Sequence, residues 1–211
     1  MSEVASFEVW APGHPGTETL RGVFRDRMSR RYDGWNDAYD RQFDDHSFLF
    51  VRRDVNGEYL ATCRLVFKQI RGRIHALPME LADASSFSPP AEYRRCCEGG
   101  MISFTSRGHA LALMYGVTTW LVANNVDLCL TTYDVSNPLM QRLFTRTLGF
   151  SLVDGRVACY SGFTWKDNGQ PVPWQIVQAT RPAAQGVLER LTAAGVQPYR
   201  HDDAPRLDDW V

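Results

Sequence analysis

The sequence predicts an α/β domain: a mixed, largely antiparallel sheet with helices on both faces. Two observations carry this. An Asn56-Gly57 pair between two strand-like runs specifies an antiparallel hairpin. Downstream, the apolar helix-like run from about His109 to Asn124 leads directly into a strand-like run, Asp127 to Tyr133, so helices and strands alternate and must layer on one another. The chain has 211 residues, 44% of them hydrophobic and 22% charged, the balance of an ordinary globular domain. One domain is expected over 1–197, followed by a charged, proline-containing and loosely ordered tail over 198–211.

Val4 to Trp10 alternates loosely and stops at the turn-rich Ala11 to Gly16, which makes it a first strand. Thr17 to Arg31 places Leu20, Val23, Phe24 and Met28 at helical spacing. Arg30 to His46 is polar yet carries Trp35, Tyr39 and Phe43, an aromatic load that must pack over something. Ser47 to Arg53 and Glu58 to Phe67 form the hairpin. Beyond an irregular basic piece from Lys68 to Arg95, Gly99 to Phe104 is strand-like, and Gly108 opens the core helix. Ser136-Asn137-Pro138 supplies a cap and a first-turn proline for a helix over Leu139 to Leu148. Asp154-Gly155 predicts a second hairpin between Phe150 to Val153 and Val157 to Thr164, and a last helix spans about Ala183 to Ala194.

Composition also excludes function classes. With 23 basic and 24 acidic residues the net charge is -1, so no overall field draws nucleic acid or an anionic membrane. The five cysteines lack the C-x-x-C spacing of zinc or redox sites and read as buried, reduced thiols. Met1 to Trp10 has no basic stretch leading into an apolar run, and Ala110 to Ala123 is too short to span a bilayer. A cytoplasmic protein with no membrane span is expected. No ligand spacing among the histidines, no Walker loop and no Gly-x-Ser-x-Gly are present, so neither a metal nor a tightly bound cofactor is expected.

Three features stand out as candidate chemistry. Arg21, Phe24, Arg25, Arg27 and Trp35 lead into Asp40, Phe43, Asp44 and Asp45. Carboxylates beside aromatic rings suit a cationic amine, and a solvated charged helix with a few core aromatics is the alternative. Arg64 lies inside an apolar strand and needs a carboxylate partner unless it lies on a solvent face; Asp44 or Asp45 is the expected one. Glu98 stands at a strand edge before Gly99-Gly100, where it can act as general base for an attacking amine or simply as a hydrogen-bonded turn residue.

Taken together, Arg21, Phe24, Trp35, Phe43-Asp44, Arg64 and Glu98, with the stretches FDDHSFLFV and LATCRLV, resemble the acyl-homoserine-lactone (autoinducer) synthases, which share the GNAT-like acyltransferase fold. The resemblance covers roughly Arg21 to Val153. Arg21 and Phe24 stand closer together than in that family, Phe24 and Trp35 further apart, and Met101 occupies the position of the family's second arginine. The resemblance implies quorum-sensing chemistry: the amine of S-adenosylmethionine attacks the thioester of acyl carrier protein or acyl-CoA, and lactone closure follows. It makes Glu98, Asp44 and Arg64 catalytic, with Asp44 paired to Arg64. Arg21, Phe24, Trp35 and Phe43 line the substrate, and Ser103 and Phe104 lie in the stretch from Met101 whose backbone polarises the carbonyl. Lys68, Arg71 and Arg73 with Arg107 are the expected carrier contacts, and Arg94 and Arg95 extend the basic patch; Arg107-Gly108-x-Ala110 also partly matches a phosphate-cradling loop. The alternatives on the same fold are an N-acyl amino acid synthase, an ordinary acetyltransferase, and a non-catalytic relative that binds an acyl carrier.

Overall fold

The Asn56-Gly57 turn forms where expected. In a computed structural model describing residues 6–82, 87–160, 162–196 and 203–211, Gly57 takes φ +85° and its N–H donates to the Asp54 carbonyl at 3.1 Å. The Asp54 carboxylate accepts from the N–H groups of Asn56 and Glu58 at 2.9 and 2.8 Å. This turn joins β2 (Ser47–Arg53) to β3 (Tyr59–Phe67), in register from Ser47 opposite Val66. On one side of β2 lies β1 (Ser6–Trp10), and on the far side of β3 lies β4 (Cys96–Phe104). The sheet continues through β5 (Leu128–Asp134) to β7 (Trp174–Thr180) and ends at β6 (Ser151–Ala158), in the order β1-β2-β3-β4-β5-β7-β6. Every neighbouring pair is antiparallel except β4 with β5.

Side chains alternate across β2 and so build two cores. Phe48 and Phe50 meet Trp120, Leu113, Val187 and Leu191 from α3 (Arg107–Ala123) and α5 (Arg181–Ala193). Leu49 and Val51 face the other way, against Leu20 and Phe24 of α1 (Thr17–Met28). Beside them Phe43, which follows the short α2 (Asp37–Arg41), packs with Val66, Leu77 and Leu130. Helices thus cover both faces. Cys63, Cys96, Cys97 and Cys129 are buried free thiols and Cys159 is half-buried. No helix among the described residues is long and apolar enough to cross a membrane.

Three expectations are corrected. Asp154-Gly155 does not turn a hairpin: residues 151–158 run as one strand along β7, and the pair sits where the register slips between Val157 and Leu152. The expected helix over Leu139 to Leu148 is α4 (Pro138–Gln141) continued by a π-helical turn, Arg142–Thr147. The tail, expected to be loose from 198, is packed over 203–211. Leu207 is wholly buried, its N–H donates to the Asn124 side chain at 2.7 Å, and the Trp120 indole donates to the Pro205 carbonyl at 2.9 Å. Residues 198–202 lie outside the described residues.

Strands β4 and β5 then part company. They pair only from Cys96 opposite Leu128 to Gly99 opposite Thr131. Beyond that point β4 keeps only β3, and β5 keeps only β7. Just past the divergence, Met101 takes φ +48° and the β3–β4 register shifts between Thr62 and Arg64. Such a bulge takes backbone groups out of the ladder, and the Met101 carbonyl accepts instead from the Thr62 hydroxyl at 3.0 Å.

Candidate active site

The gap between the parted strands opens into a cavity of about 690 Å³. Its floor is Glu98 to Phe104 with Thr132 to Asp134, and its walls include Phe24, Arg27, Tyr32, Trp35, Tyr39, Tyr160, Phe163 and Trp174. Phe24, Trp35, Phe163 and Trp174 follow one another ring to ring at 5.2, 5.7 and 5.9 Å. A backbone crossing brings Trp35 to Phe163. Gly34 and Gly162 both have positive φ, and a Cβ on Gly34 would lie 1.5 Å from the Gly162 carbonyl oxygen, so only glycine fits.

Glu98 is 2% exposed and bonded at both oxygens. The Met79 N–H donates to Oε2 at 2.7 Å, and the Tyr160 hydroxyl donates to Oε1 at 2.7 Å. Burial pushes its carboxyl up to about 7, against the opposing pull of the Met79 N–H, Tyr160 and Arg64. A carboxyl that titrates near neutrality inside a cavity can give or take a proton at physiological pH. The Tyr160 hydroxyl also lies 3.2 Å from that of Thr132, and burial raises its own pKa well above the ordinary value.

Next to Glu98 on the same sheet face, Arg64 stands opposite Gly100 in the register. Its partner is Asp40, not Asp44 or Asp45 as expected: Arg64 Nη2 reaches Asp40 Oδ1 at 2.7 Å. Asp40 also receives Arg21, which binds Asp44 as well. The chain Arg64-Asp40-Arg21-Asp44 arises because α2 turns Asp40 inward, whereas Asp44 begins the following short turn and stays partly exposed. Arg21 is 1% exposed and lies behind the cavity wall, as do Phe43 and Asp44, so these three brace the site without lining it. Phe24, Trp35, Arg64, Glu98, Ser103 and Phe104 do line it.

The expected carrier contacts are not brought together. Lys68 is held by Glu80, the Arg71 guanidinium lies 4.4 Å above the Trp210 ring, and Arg73 is exposed on the same small ribbon, Gln69–Ile70 with Arg73–Ile74. All three sit at the paired end of β4, where Lys68 N–H bonds the Cys96 carbonyl. Arg107 begins α3, beyond the opposite, parted end. Arg95 is engaged by Asp208 at 2.6 Å.

Sequence reasoning missed Tyr160, Tyr32, Phe163, Trp174 and Asp134. Asp134 is buried under Tyr32 at 2.7 Å and Arg31 at 2.9 Å. These residues come from separate strands and loops, and no local spacing marks them. Arg27 was legible in part, because it follows Phe24 at the spacing of one helix face. Among the described residues, no group of three or more His, Cys, Asp and Glu residues has the geometry to hold a metal ion.

No protein-family model matches the chain, and no curated protein sequence matches it. Solved structures do. FeeM, an N-acyl amino acid synthase from uncultured soil microbes, superposes with a TM-score of 0.63 at 14% identity, covering 88% of this chain and 95% of that one. MesI, a CoA-dependent acyl-homoserine lactone synthase, gives 0.59 at 16% identity over 92% and 97%. BjaI, another CoA-dependent acyl-homoserine lactone synthase, solved with SAM and isopentyl-CoA, gives 0.55 at 13% identity over 97% and 96%. At these identities the likeness is one of fold, and it agrees with the largely antiparallel sheet and its helices: the chain has the fold of the GNAT-like acyltransferases.

Proposed function

We propose that this protein is an N-acyltransferase that moves an acyl chain from an acyl-CoA or acyl carrier protein thioester to the amine of S-adenosylmethionine, with lactone closure. The observation that carries the acyl-transfer reading is Glu98, a buried carboxyl pushed up to about 7, on the floor of the cavity that opens where β4 leaves β5. Its geometry supports a single sequence of events. The thioester lies in the gap with its carbonyl against the bulge at Met101, whose backbone N–H stabilises the developing oxyanion. The amine approaches from the α1 side. Glu98, directly or through water, accepts its proton as the C–N bond forms. The C–S bond then breaks, and the proton leaves with the thiol. Tyr160 and the Met79 N–H hold Glu98 in place for this role. Arg64, Asp40, Arg21 and Asp44 fix the wall behind the acceptor.

For S-adenosylmethionine, attack of its carboxylate on the carbon bearing sulfur closes the lactone and expels methylthioadenosine. The Arg21, Phe24, Trp35, Asp44, Arg64 and Glu98 set supports this acceptor. A second reading, transfer to an ordinary amino acid without lactone closure, is favoured by Met101, which stands where the lactone synthases have an arginine. The test is mass spectrometry of organic extracts from cells overproducing the protein, with Glu98→Gln as control. An acyl-homoserine lactone found only with the unaltered protein supports the first reading. N-acyl amino acids in its place support the second, and no new acylated amine counts against both.

A further inference from the structure

The cavity holds a positive charge that acyl transfer does not use. Arg27 reaches from α1 to the sheet, where its guanidinium donates to the Ser103 hydroxyl at 2.8 Å and to the Tyr59 carbonyl. Both acceptors are neutral, and among the described residues no carboxylate lies within 4 Å of Arg27. The other arginines of the wall differ: Arg64 has Asp40, Arg31 has Asp134, and Arg30 is exposed. A half-buried guanidinium that lines a cavity and has only neutral acceptors is completed by an anion that the ligand brings.

The sheet face identifies that ligand. Ser103 meets the Thr62 hydroxyl at 2.9 Å, opposite Thr62 in the register, and Thr62, Arg64 and Val66 alternate onto the face that Glu98 shares. This is the face covered by α1. The N-terminus of α3, where a donor's phosphates would find free backbone N–H groups, follows at the same parted end of β4 but covers the other face of the sheet. Along the strand, Ser103 stands about 7 Å from the bulge at Met101. An α-amino acid whose amine waits ~3–3.5 Å from the carbonyl carbon spans that interval with its carboxylate.

We propose that Arg27 binds the carboxylate of the acceptor, so that the site selects amino-acid-type amines over polyamines and simple alkylamines. This rests on the acyltransferase reading. The test is isothermal titration of N-decanoylglycine and of its methyl ester into the wild type, Arg27→Gln and Arg27→Lys. The acid is expected to bind the wild type at least about ten-fold more tightly than the ester. Arg27→Gln is expected to lose that preference while holding the ester as before, and Arg27→Lys to keep part of it. Equal binding of acid and ester by the wild type overturns the assignment, as does a preference that survives Arg27→Gln. The wild-type comparison decides alone if Arg27→Gln does not fold. A preference for 4′-phosphopantetheine over pantetheine that vanishes in Arg27→Gln, beside an unchanged acid-to-ester ratio, gives the charge to the donor and also overturns it. If neither decanoyl compound binds at all, the acyltransferase reading of the cavity falls, and this inference falls with it.

Discussion

Replacing Glu98 with glutamine should cost activity and, at neutral pH, add stability. Burial moves the carboxyl from 4.5 to about 7, so the folded protein favours its protonated form. The stability it contributes is fully present below about pH 4.5 and is lost as pH rises through about 7. At roughly 1.4 kcal/mol per pH unit, that loss is about 3 kcal/mol. Glu98→Gln carries no titrating proton at this position, so wild type and variant should diverge by about 3 kcal/mol between pH 5 and pH 8, in the variant's favour at the higher pH. Urea unfolding of both proteins at the two pH values measures it, because contributions of all other groups cancel in the difference. For a chain of 211 residues the same change appears as about 6–12 °C in relative Tm. Acyl transfer by the wild type should rise with pH through about 7, since only the ionised carboxylate accepts a proton, and the variant should be inactive throughout. A difference in unfolding free energy that is the same at pH 5 and pH 8 would refute the reasoning.

Asp40→Asn leaves Arg64 without a carboxylate and should cost about 3–5 kcal/mol in thermal or urea unfolding. Asp44→Asn should cost clearly less, because Arg21 keeps Asp40 and Asp44 is 27% exposed; equal losses would contradict the pairing. Gly34→Ala drives a Cβ into the Gly162 carbonyl and should collapse the aromatic wall, read as loss of the near-ultraviolet dichroism of Trp35 and Trp174. Gly57→Ala, with the same sign of φ but open space around it, should cost only about 1–2 kcal/mol, and similar damage from both would dismiss the close approach. Removing residues 203–211 takes away the wholly buried Leu207 and the Pro205 carbonyl to which Trp120 donates, and should cost at least about 2 kcal/mol; an unchanged Tm would show that the tail packs for no gain.

Local chemistry made much of the fold legible. The Asn56-Gly57 turn, the apolar helix at Ala110 and the Asn137-Pro138 helix start each announce themselves within a few residues. Strand β7 escaped because Trp174–Thr180 follows two prolines and mixes Gln175 and Gln178 with Ile176 and Val177; it becomes a strand only because β5 and β6 both have an edge to offer. The Asp154-Gly155 signal was real as a backbone preference, since Gly155 has φ +57°, but two long neighbours absorbed it as a register slip. In the site, Arg64 was found because a charged residue inside an apolar strand demands an explanation, and Glu98 because it stands at a strand edge beside two glycines. The partners Tyr160 and Met79 were not, and Asp40 stood out only as one of several carboxylates and not as the partner of Arg64, because each arrives from a distant segment. The packed tail shows the same limit: charge and proline suggest looseness, while Leu207 and Trp210 hold it down.

Purified protein supplied with decanoyl-CoA, with and without S-adenosylmethionine or a panel of amino acids, tests the central claim most directly. Free thiol is followed by colorimetry and the organic product by mass spectrometry. The account predicts thiol release that requires the amine and Glu98, together with one N-decanoyl product per thiol. Thiol release that proceeds without any amine and yields decanoic acid, or that persists unchanged in Glu98→Gln, would contradict it.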